Sequence, residues 1–171
     1  MKTDWAANEL EVRAAEALKS LLEEVSAVKL KEMKRESPAR GRAAEILAHI
    51  DIYGHSHTLA CEVNADTRPS KVRASLRKLE DCAAHLAGET TLVLIAPYLS
   101  PEAQALCNES HAGFLDLEGN ARIAIGEVFI GKRTFAHCHV DPPMVARAID
   151  TPHDVHRGSM ASHSRAAVTV A

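Results

Sequence analysis

Several residue types and segments that mark particular protein classes are scarce or missing in this sequence. Aromatic residues make up only 4% of the 171 residues, so we expect an aliphatic core. The four cysteines lie far apart without a C-x-x-C pair, which is typical of a reduced, cytosolic protein. No run of about 18 apolar residues occurs, and no charged segment precedes an apolar one at the N-terminus. We therefore expect a soluble protein that is neither secreted nor membrane-spanning.

A basic excess and a phosphate-binding loop are missing too. The net charge is −3, so non-specific attraction to nucleic acid would require a local basic patch. Neither G-x-G-x-x-G nor G-x-x-x-x-G-K occurs, which excludes the common nucleotide-binding loops. The length suits one domain with a tail. Residues 1–132 are expected to form the domain, and residues 133–171, rich in proline and histidine, a poorly structured tail with at most a short helix at 144–149.

Hydrophobic periodicity predicts helices and strands in the order αβββαβαββ. Apolar residues recur at helical spacing within residues 4–25, and a half-exposed strand should follow at 27–35. Pro69 opens a second helix, and Ser100 with Pro101 opens a third. The unbroken apolar run TTLVLIA predicts a central strand at 90–96. Short strands are expected at 113–117 and 121–130. This order predicts an α/β fold with a mixed sheet flanked by helices.

Residues 44–64 read as a β-hairpin with its turn at Gly54-His55-Ser56-His57. A two-residue loop flanked by Gly54 and His57 would place Glu45 opposite Asp66. Side chains alternate along a strand, so one face would be wholly apolar. The other face would carry the polar residues, which are Glu45, His49, Asp51, Thr58, Glu62 and Asn64.

Two carboxylates on that polar face, from Glu45 and Glu62, suggest a site for a hard divalent cation. Mg²⁺ is bound by one or two carboxylates and keeps several waters. Substrate phosphate could complete its coordination for phosphodiester cleavage. The alternative is a solvated sheet face, where acidic residues are common. The spacing alone favours that alternative by roughly two to one.

The arrangement of a strand, a hairpin, E-x-N and a helix beginning near a proline resembles the PD-(D/E)XK nuclease-like superfamily. Residues 92–133, with APYLSPEA and GFLDLEGNAR, resemble one bacterial branch of it. That branch has a nuclease-like domain often followed by a helix-turn-helix segment, and it is related to the antitoxins of abortive-infection (type IV) systems. The resemblance covers about 43–133. It implies a restriction-endonuclease-like fold and a defence or antitoxin setting.

By position, the resemblance implies Glu45 and Glu62 as the two metal-binding acids, with Mg²⁺ as the expected cation. The superfamily's lysine falls on Asn64, which makes Asn64 the third catalytic position. A neutral amide cannot supply the positive charge of a lysine. Losing such a contact costs on the order of 100- to 1000-fold in rate, so weak or absent cleavage is expected. Lys71 is a candidate to supply the missing charge.

Basic residues crowd the start of the second predicted helix, just past the E-x-N strand. Such clusters contact phosphate backbones, so this helix is the predicted DNA-binding surface. A solvated helix face is an equally good reading of the residues alone. The proposed contact residues are Arg68, Lys71, Arg77 and Lys78, with Arg73 beside them.

Other roles stay open. One alternative is a non-catalytic regulator, which would keep the basic helix and bind DNA or a protein partner. Another is a truncated gene product, which the patternless tail suggests. His55 and His57 are expected to be ordinary exposed turn residues. The histidines and the cysteine of residues 137–156 lack the spacing of a zinc site. Cys61 and Cys107 are expected in the core.

Overall fold

The computed structural model describes residues 7–36 and 44–134. In these ranges the chain forms three helices and seven strands, which confirms an α/β fold with a mixed sheet flanked by helices. The helices are α1 (Ala7–Glu23), α2 (Pro69–Ala83) and α3 (Pro101–Glu109). The strands are β1 (Val28–Arg35), β2 (Ile46–Ile52), β3 (His55–Val63), β4 (Thr90–Ala96), β5 (Gly113–Asp116), β6 (Ala121–Ile125) and β7 (Val128–Lys132).

The strands form one sheet in the order β1-β2-β3-β4-β5-β6-β7. β3, β4 and β5 run parallel, connected through α2 and α3, and the remaining neighbours are antiparallel. One face of the sheet packs against α1, and the other packs against α2 and α3. In β4, Val93 and Ile95 join the α1 core while Leu94 and Ala96 join the core under α2 and α3. Burial on both faces explains its unbroken apolar sequence.

The β2–β3 hairpin turns earlier than the sequence predicted. Ile52 pairs with His55, so the two-residue turn is Tyr53-Gly54. Both residues have positive φ, 51° and 87°, as a turn matching the twist of the strands requires. Ile46 pairs with Cys61, and Asp66 is therefore not opposite Glu45. The register moves by an even number of residues, so each side chain keeps its predicted face.

The predicted final strand is two strands. Buried residues alternate through Ala121, Ile123 and Ile125, and then resume at Val128 and Ile130. The three-residue step between Ile125 and Val128 breaks the alternation, and these two residues pair across a turn. The observed element order is thus αβββαβαβββ.

The two hairpin histidines lie in β3 and not in the turn. His57 is buried, with 8% of its surface exposed, whereas His55 is exposed. The Nδ1 atom of His57 lies 3.2 Å from Oε2 of Glu89, and its Nε2 atom lies 2.9 Å from Oγ1 of Thr91. The expectation of two ordinary exposed histidines is therefore wrong for His57.

The cysteines and Asp116 behave as structural residues. Cys61 and Cys107 are buried as expected, and burial raises the pKa of both thiols, that of Cys107 to about 12. Oδ1 of Asp116 accepts hydrogen bonds from the backbone N–H groups of Glu118 (3.1 Å) and Asn120 (2.9 Å). It therefore closes the turn between β5 and β6.

Most of the predicted tail, including its short helix and its histidines, lies outside the described residues. α1, α2 and α3 all lack the length and apolarity needed to cross a membrane.

Leu18 tests the packing of α1 against the sheet, because it is completely buried in that core. Leu18→Ala is expected to lower the free energy of unfolding by about 2–5 kcal/mol, since it removes buried methyl groups and leaves a cavity. The matched control is Val12→Ala on the same helix, where 37% of the side chain's surface is exposed. This control should change stability by at most about 0.5 kcal/mol. Urea denaturation measures both variants, and equal losses would contradict the assigned face of α1.

Candidate active site

Glu45 and Glu62 lie side by side at one end of the β2–β3 pair. They are each one residue beyond Ile46 and Cys61, the last paired positions of the hairpin. Glu45 lies just before β2, and Glu62 is the penultimate residue of β3. Their charges interact, since Glu62 raises the pKa of Glu45. The hairpin thus brings together the two carboxylates that the sequence placed on one face.

Glu62 is a buried carboxylate with only half of its hydrogen-bonding capacity used. It is 7% exposed, and its Oε1 accepts a hydrogen bond from Nζ of Lys78 at 2.8 Å. Its Oε2 is buried without a hydrogen-bond partner among the described residues. Burial raises the pKa of Glu62, and Lys78 acts in the opposite direction. The expectation of a solvated face is therefore wrong at Glu62, which lies under α2.

Glu45 is anchored to the neighbouring strand. Its Oε2 accepts a hydrogen bond from the backbone N–H of Val63 at 3.0 Å. Its pKa is raised chiefly by burial and then by Glu62, while the Val63 N–H and Lys78 lower it. Both acids of the pair therefore bind protons more strongly than free glutamate does.

Glu11 of α1 is a third acid near this pair that the sequence did not single out. Its charge raises the pKa of both Glu45 and Glu62. It is partly exposed and directly follows Leu10 of the buried stripe. In the sequence it resembles the other glutamates of the helix, Glu9, Glu16 and Glu23. Only the packing of α1 on the sheet distinguishes it.

Asn64 makes structural contacts. Its Nδ2 donates to Oγ of Ser75 in α2 at 2.9 Å, and its Oδ1 accepts from the backbone N–H of Asp66 at 3.0 Å. Its backbone N–H donates to the carbonyl of Ile95 at 2.8 Å. The amide thus fixes the exit from β3 and the position of α2. Its predicted catalytic role stays a prediction.

The lysine that contacts the acids is Lys78 and not Lys71. α2 runs back over β3, so Ser75 contacts Asn64 while Lys78, one helical turn later, contacts Glu62. Lys71 lies near the start of the helix and is exposed. Lys78 is one of the four residues predicted to bind DNA, and in the structure its Nζ donates a hydrogen bond to Glu62.

The remaining basic residues are Arg68, which directly precedes α2, and three residues of the helix itself. Nε of Arg68 donates to both carboxylate oxygens of Asp66 at 2.9 and 3.0 Å, and these bonds lower the pKa of Asp66 to about 2. Lys71, Arg73 and Arg77 are exposed on the helix. All three are open to solvent, with Arg73 and Arg77 on one side of the helix and Lys71 on another.

The donor set fits a cation that keeps much of its water. Among residues 7–36 and 44–134, no group of three or more His, Cys, Asp or Glu side chains is placed to hold a metal ion. Two carboxylates suffice for Mg²⁺, because waters and substrate oxygens fill its other positions. The unpaired, buried Oε2 of Glu62 is an oxygen that such an ion could use.

Comparison with known proteins finds a partial structural likeness. No family model matches the sequence, and no curated protein matches it either. A solved structure that resembles it is the crystal structure of a repair endonuclease from Pyrococcus abyssi, with 21% sequence identity and a TM-score of 0.43. The alignment covers 67% of this chain and 48% of that one. The chain therefore spans about half the length of that protein.

The raised pKa of Glu45 predicts a stability that falls as pH rises. Above pH 4.5 the folded state holds the Glu45 proton more tightly than the unfolded state does. Glu45→Gln removes the charge and keeps an oxygen for the Val63 N–H. In EDTA, its free energy of unfolding should exceed that of the unmodified protein at pH 7.5, and the two should converge below pH 4.5.

Urea titrations at several pH values measure this difference. Glu109→Gln, at an exposed position of α3, is the matched control and should follow the unmodified protein at every pH. A Glu45→Gln protein that is less stable at pH 7.5 would show that the carboxylate is favourably solvated or paired.

Proposed function

We propose that this protein is a metal-dependent phosphodiesterase that acts on DNA, with Glu45 and Glu62 as its metal-binding acids. The observation that carries the proposal is the state of Glu62. Its Oε2 is buried and unpaired beside a second carboxylate. An unpaired buried oxygen costs roughly 1–3 kcal/mol or more, so a fold retains it where a ligand completes it. The sequence resemblance to nuclease-like proteins indicates phosphodiesters as the substrate.

Mg²⁺ would be held by Glu62 through Oε2 and by the carboxylate of Glu45. When bound, the ion would supply positive charge to the phosphate and lower the pKa of a water molecule. Glu62 stays oriented by Lys78, and Glu45 by the backbone of Val63. The negative charge of Glu11 nearby favours the cation-bound state of the two acids over their cation-free state.

Binding of DNA is supported by the exposed cations of α2, which are Lys71, Arg73 and Arg77. Lys71 lies about two turns before Lys78 on the same side of α2, so a phosphate held by Lys71 would lie on the side of the helix that carries Lys78 and its contact with Glu62. The same cations support a second candidate, a regulator that binds DNA without cutting it. The defence or antitoxin setting and a protein partner are supported by the sequence resemblance alone.

Replacing Glu62 tests the enzymatic proposal. Supercoiled plasmid and linear DNA are incubated with the protein in Mg²⁺ or Mn²⁺, and nicked and cut products are measured. Glu62→Gln should reduce cleavage by at least about 100-fold, because it removes a carboxylate that would hold the cation, and with it the positive charge that stabilises the transition state. Glu109→Gln is the control and should cleave normally. Equal cleavage by the Glu62→Gln protein would falsify the assigned site.

Charge reversal on α2 tests the DNA surface. Lys71→Glu/Arg77→Glu should weaken binding of a DNA duplex, measured by fluorescence anisotropy at several salt concentrations. If both side chains contact phosphates, the slope of log K against log salt should become shallower by about 2. The control is Lys19→Glu/Lys31→Glu, which changes the charge equally on exposed residues of α1 and β1. The idea fails if both double variants bind DNA equally well.

A further inference from the structure

We propose that Lys78 is a catalytic residue of this site, donating from α2 to the scissile phosphate while it stays hydrogen-bonded to Glu62. The inference rests on the proposed phosphodiesterase function. It differs from the expectation drawn from the sequence, in which a neutral Asn64 leaves the site weakly active. Charge, reach and burial of the side chain each support it.

The ammonium group of Lys78 has donors to spare. One of its three N–H groups is used by Oε1 of Glu62 at 2.8 Å. The side chain is 33% exposed, against 9% for that of Glu62, so the ion pair has one face open to solvent. The remaining N–H groups are therefore able to meet a phosphate oxygen arriving from that side.

The path of α2 explains how a helical lysine reaches this place. The helix runs antiparallel to β3, and the Ser75–Asn64 contact fixes its height above the strand. One turn further, Lys78 lies above Glu62, two residues back along β3. A lysine at position 64 would approach the acids from the strand, whereas Lys78 approaches them from the helix above.

Other cations of the described residues are less suited to this role. Arg68 is engaged by Asp66 through both carboxylate oxygens. Lys71 is exposed, and its charge acts on Asp66 instead of on Glu45 or Glu62. Lys78, by contrast, influences both acids of the pair.

A purely stabilising ion pair is a poor account of Lys78. Desolvation of two charges often cancels their attraction, so partly buried pairs add little stability unless every donor and acceptor is satisfied. Here Oε2 of Glu62 has no partner among the described residues. As a structural ion pair it therefore leaves one carboxylate oxygen without a partner. A cation at Oε2 of Glu62 and an anion at Nζ of Lys78 would complete the contacts of both side chains.

In the reaction, a water oxygen forms a bond to phosphorus and the bond from phosphorus to the leaving oxygen breaks. The water gives up a proton to solvent, and the leaving oxygen gains one from solvent. Lys78 remains protonated throughout and neutralises charge that develops on the non-bridging phosphate oxygens. A fixed cation of this kind acts mainly on the transition state.

Removing the charge should therefore lower kcat and leave substrate binding nearly intact. Lys78→Met keeps the aliphatic stem, and we expect kcat to fall about 100- to 1000-fold. KM, and DNA affinity measured in Ca²⁺, should change less than about threefold, because the exposed cations of α2 remain. Lys78→Arg should keep part of the rate. Lys31→Met, at an exposed position of β1, is the matched control, with kcat unchanged.

A relocated charge separates chemistry from packing. In the Asn64→Lys/Lys78→Asn protein the lysine stands on the strand, and cleavage should recover at least tenfold relative to Lys78→Asn alone. Thermal unfolding is followed for each variant. If Lys78→Met is unfolded, Lys78→Arg and Asn64→Lys/Lys78→Asn test the catalytic role instead. A kcat for Lys78→Arg that is no higher than that of a Glu62→Gln protein overturns the inference.

The failures of the two proposals are distinguishable. Cleavage by the unmodified protein that is lost in Glu62→Gln but unchanged in Lys78→Met overturns the role of Lys78 alone. A rise in KM with kcat unchanged does the same, since it assigns Lys78 to binding. An unmodified protein that binds DNA and cleaves nothing in Mg²⁺ or Mn²⁺ overturns the proposed function and the inference with it.

Discussion

The ion pair between Lys78 and Glu62 is the constraint on which the arrangement of the site depends. Glu62 lies on the same face of β3 as Ala60, which packs with Leu79 of α2, so it carries charge into the interface between α2 and the sheet. A charge in such surroundings must have a counter-charge or lose its ionised form. Lys78 supplies that counter-charge, and its contact with Glu62 agrees with the rotation of α2 about its axis that the buried side of the helix sets. The rotation directs Val72 and Leu76 to the core and leaves Arg73 and Arg77 in solvent.

The second constraint is the exit of the chain from β3. Asn64 ties the strand end to β4 through Ile95, to α2 through Ser75, and to its own loop through Asp66. Short polar side chains commonly organise loops in this way. These three contacts connect the end of β3 to its surroundings shortly before α2 begins at Pro69. The site therefore consists of acids supplied by the hairpin and a lysine whose position follows from how the helix begins.

The sequence predicted those parts of the fold that depend on local pattern. Alternation assigned the hairpin faces, since every second residue from Ile46 is apolar. It could not locate the turn, because shifting the register by an even number of residues leaves the faces unchanged. Tyr53 also gave no turn signal, since tyrosine is an unusual residue at positive φ. The extra strand was detectable from the three-residue step between Ile125 and Val128. Proline and serine placed the starts of α2 and α3 correctly.

The candidate site was predictable only in part. Glu45 and Glu62 could be paired because both belong to one hairpin. The contact of Lys78 with Glu62 joins residues 16 apart on different elements, and it depends on the height and rotation of a helix. Glu11 comes from still further away in the chain. Such tertiary contacts leave no periodic trace in the sequence, so the lysine was assigned to a surface role.

The order of the sheet has a consequence for how the chain folds. Each described strand pairs with the strand that follows it in sequence, so no pairing waits for a distant segment. Contacts that are close in sequence close small loops and speed folding. The hairpins at either end can form by themselves, and the slow events should be the two parallel crossovers through α2 and α3. The residues of the proposed site would then come together late, when α2 closes over a hairpin that is already formed.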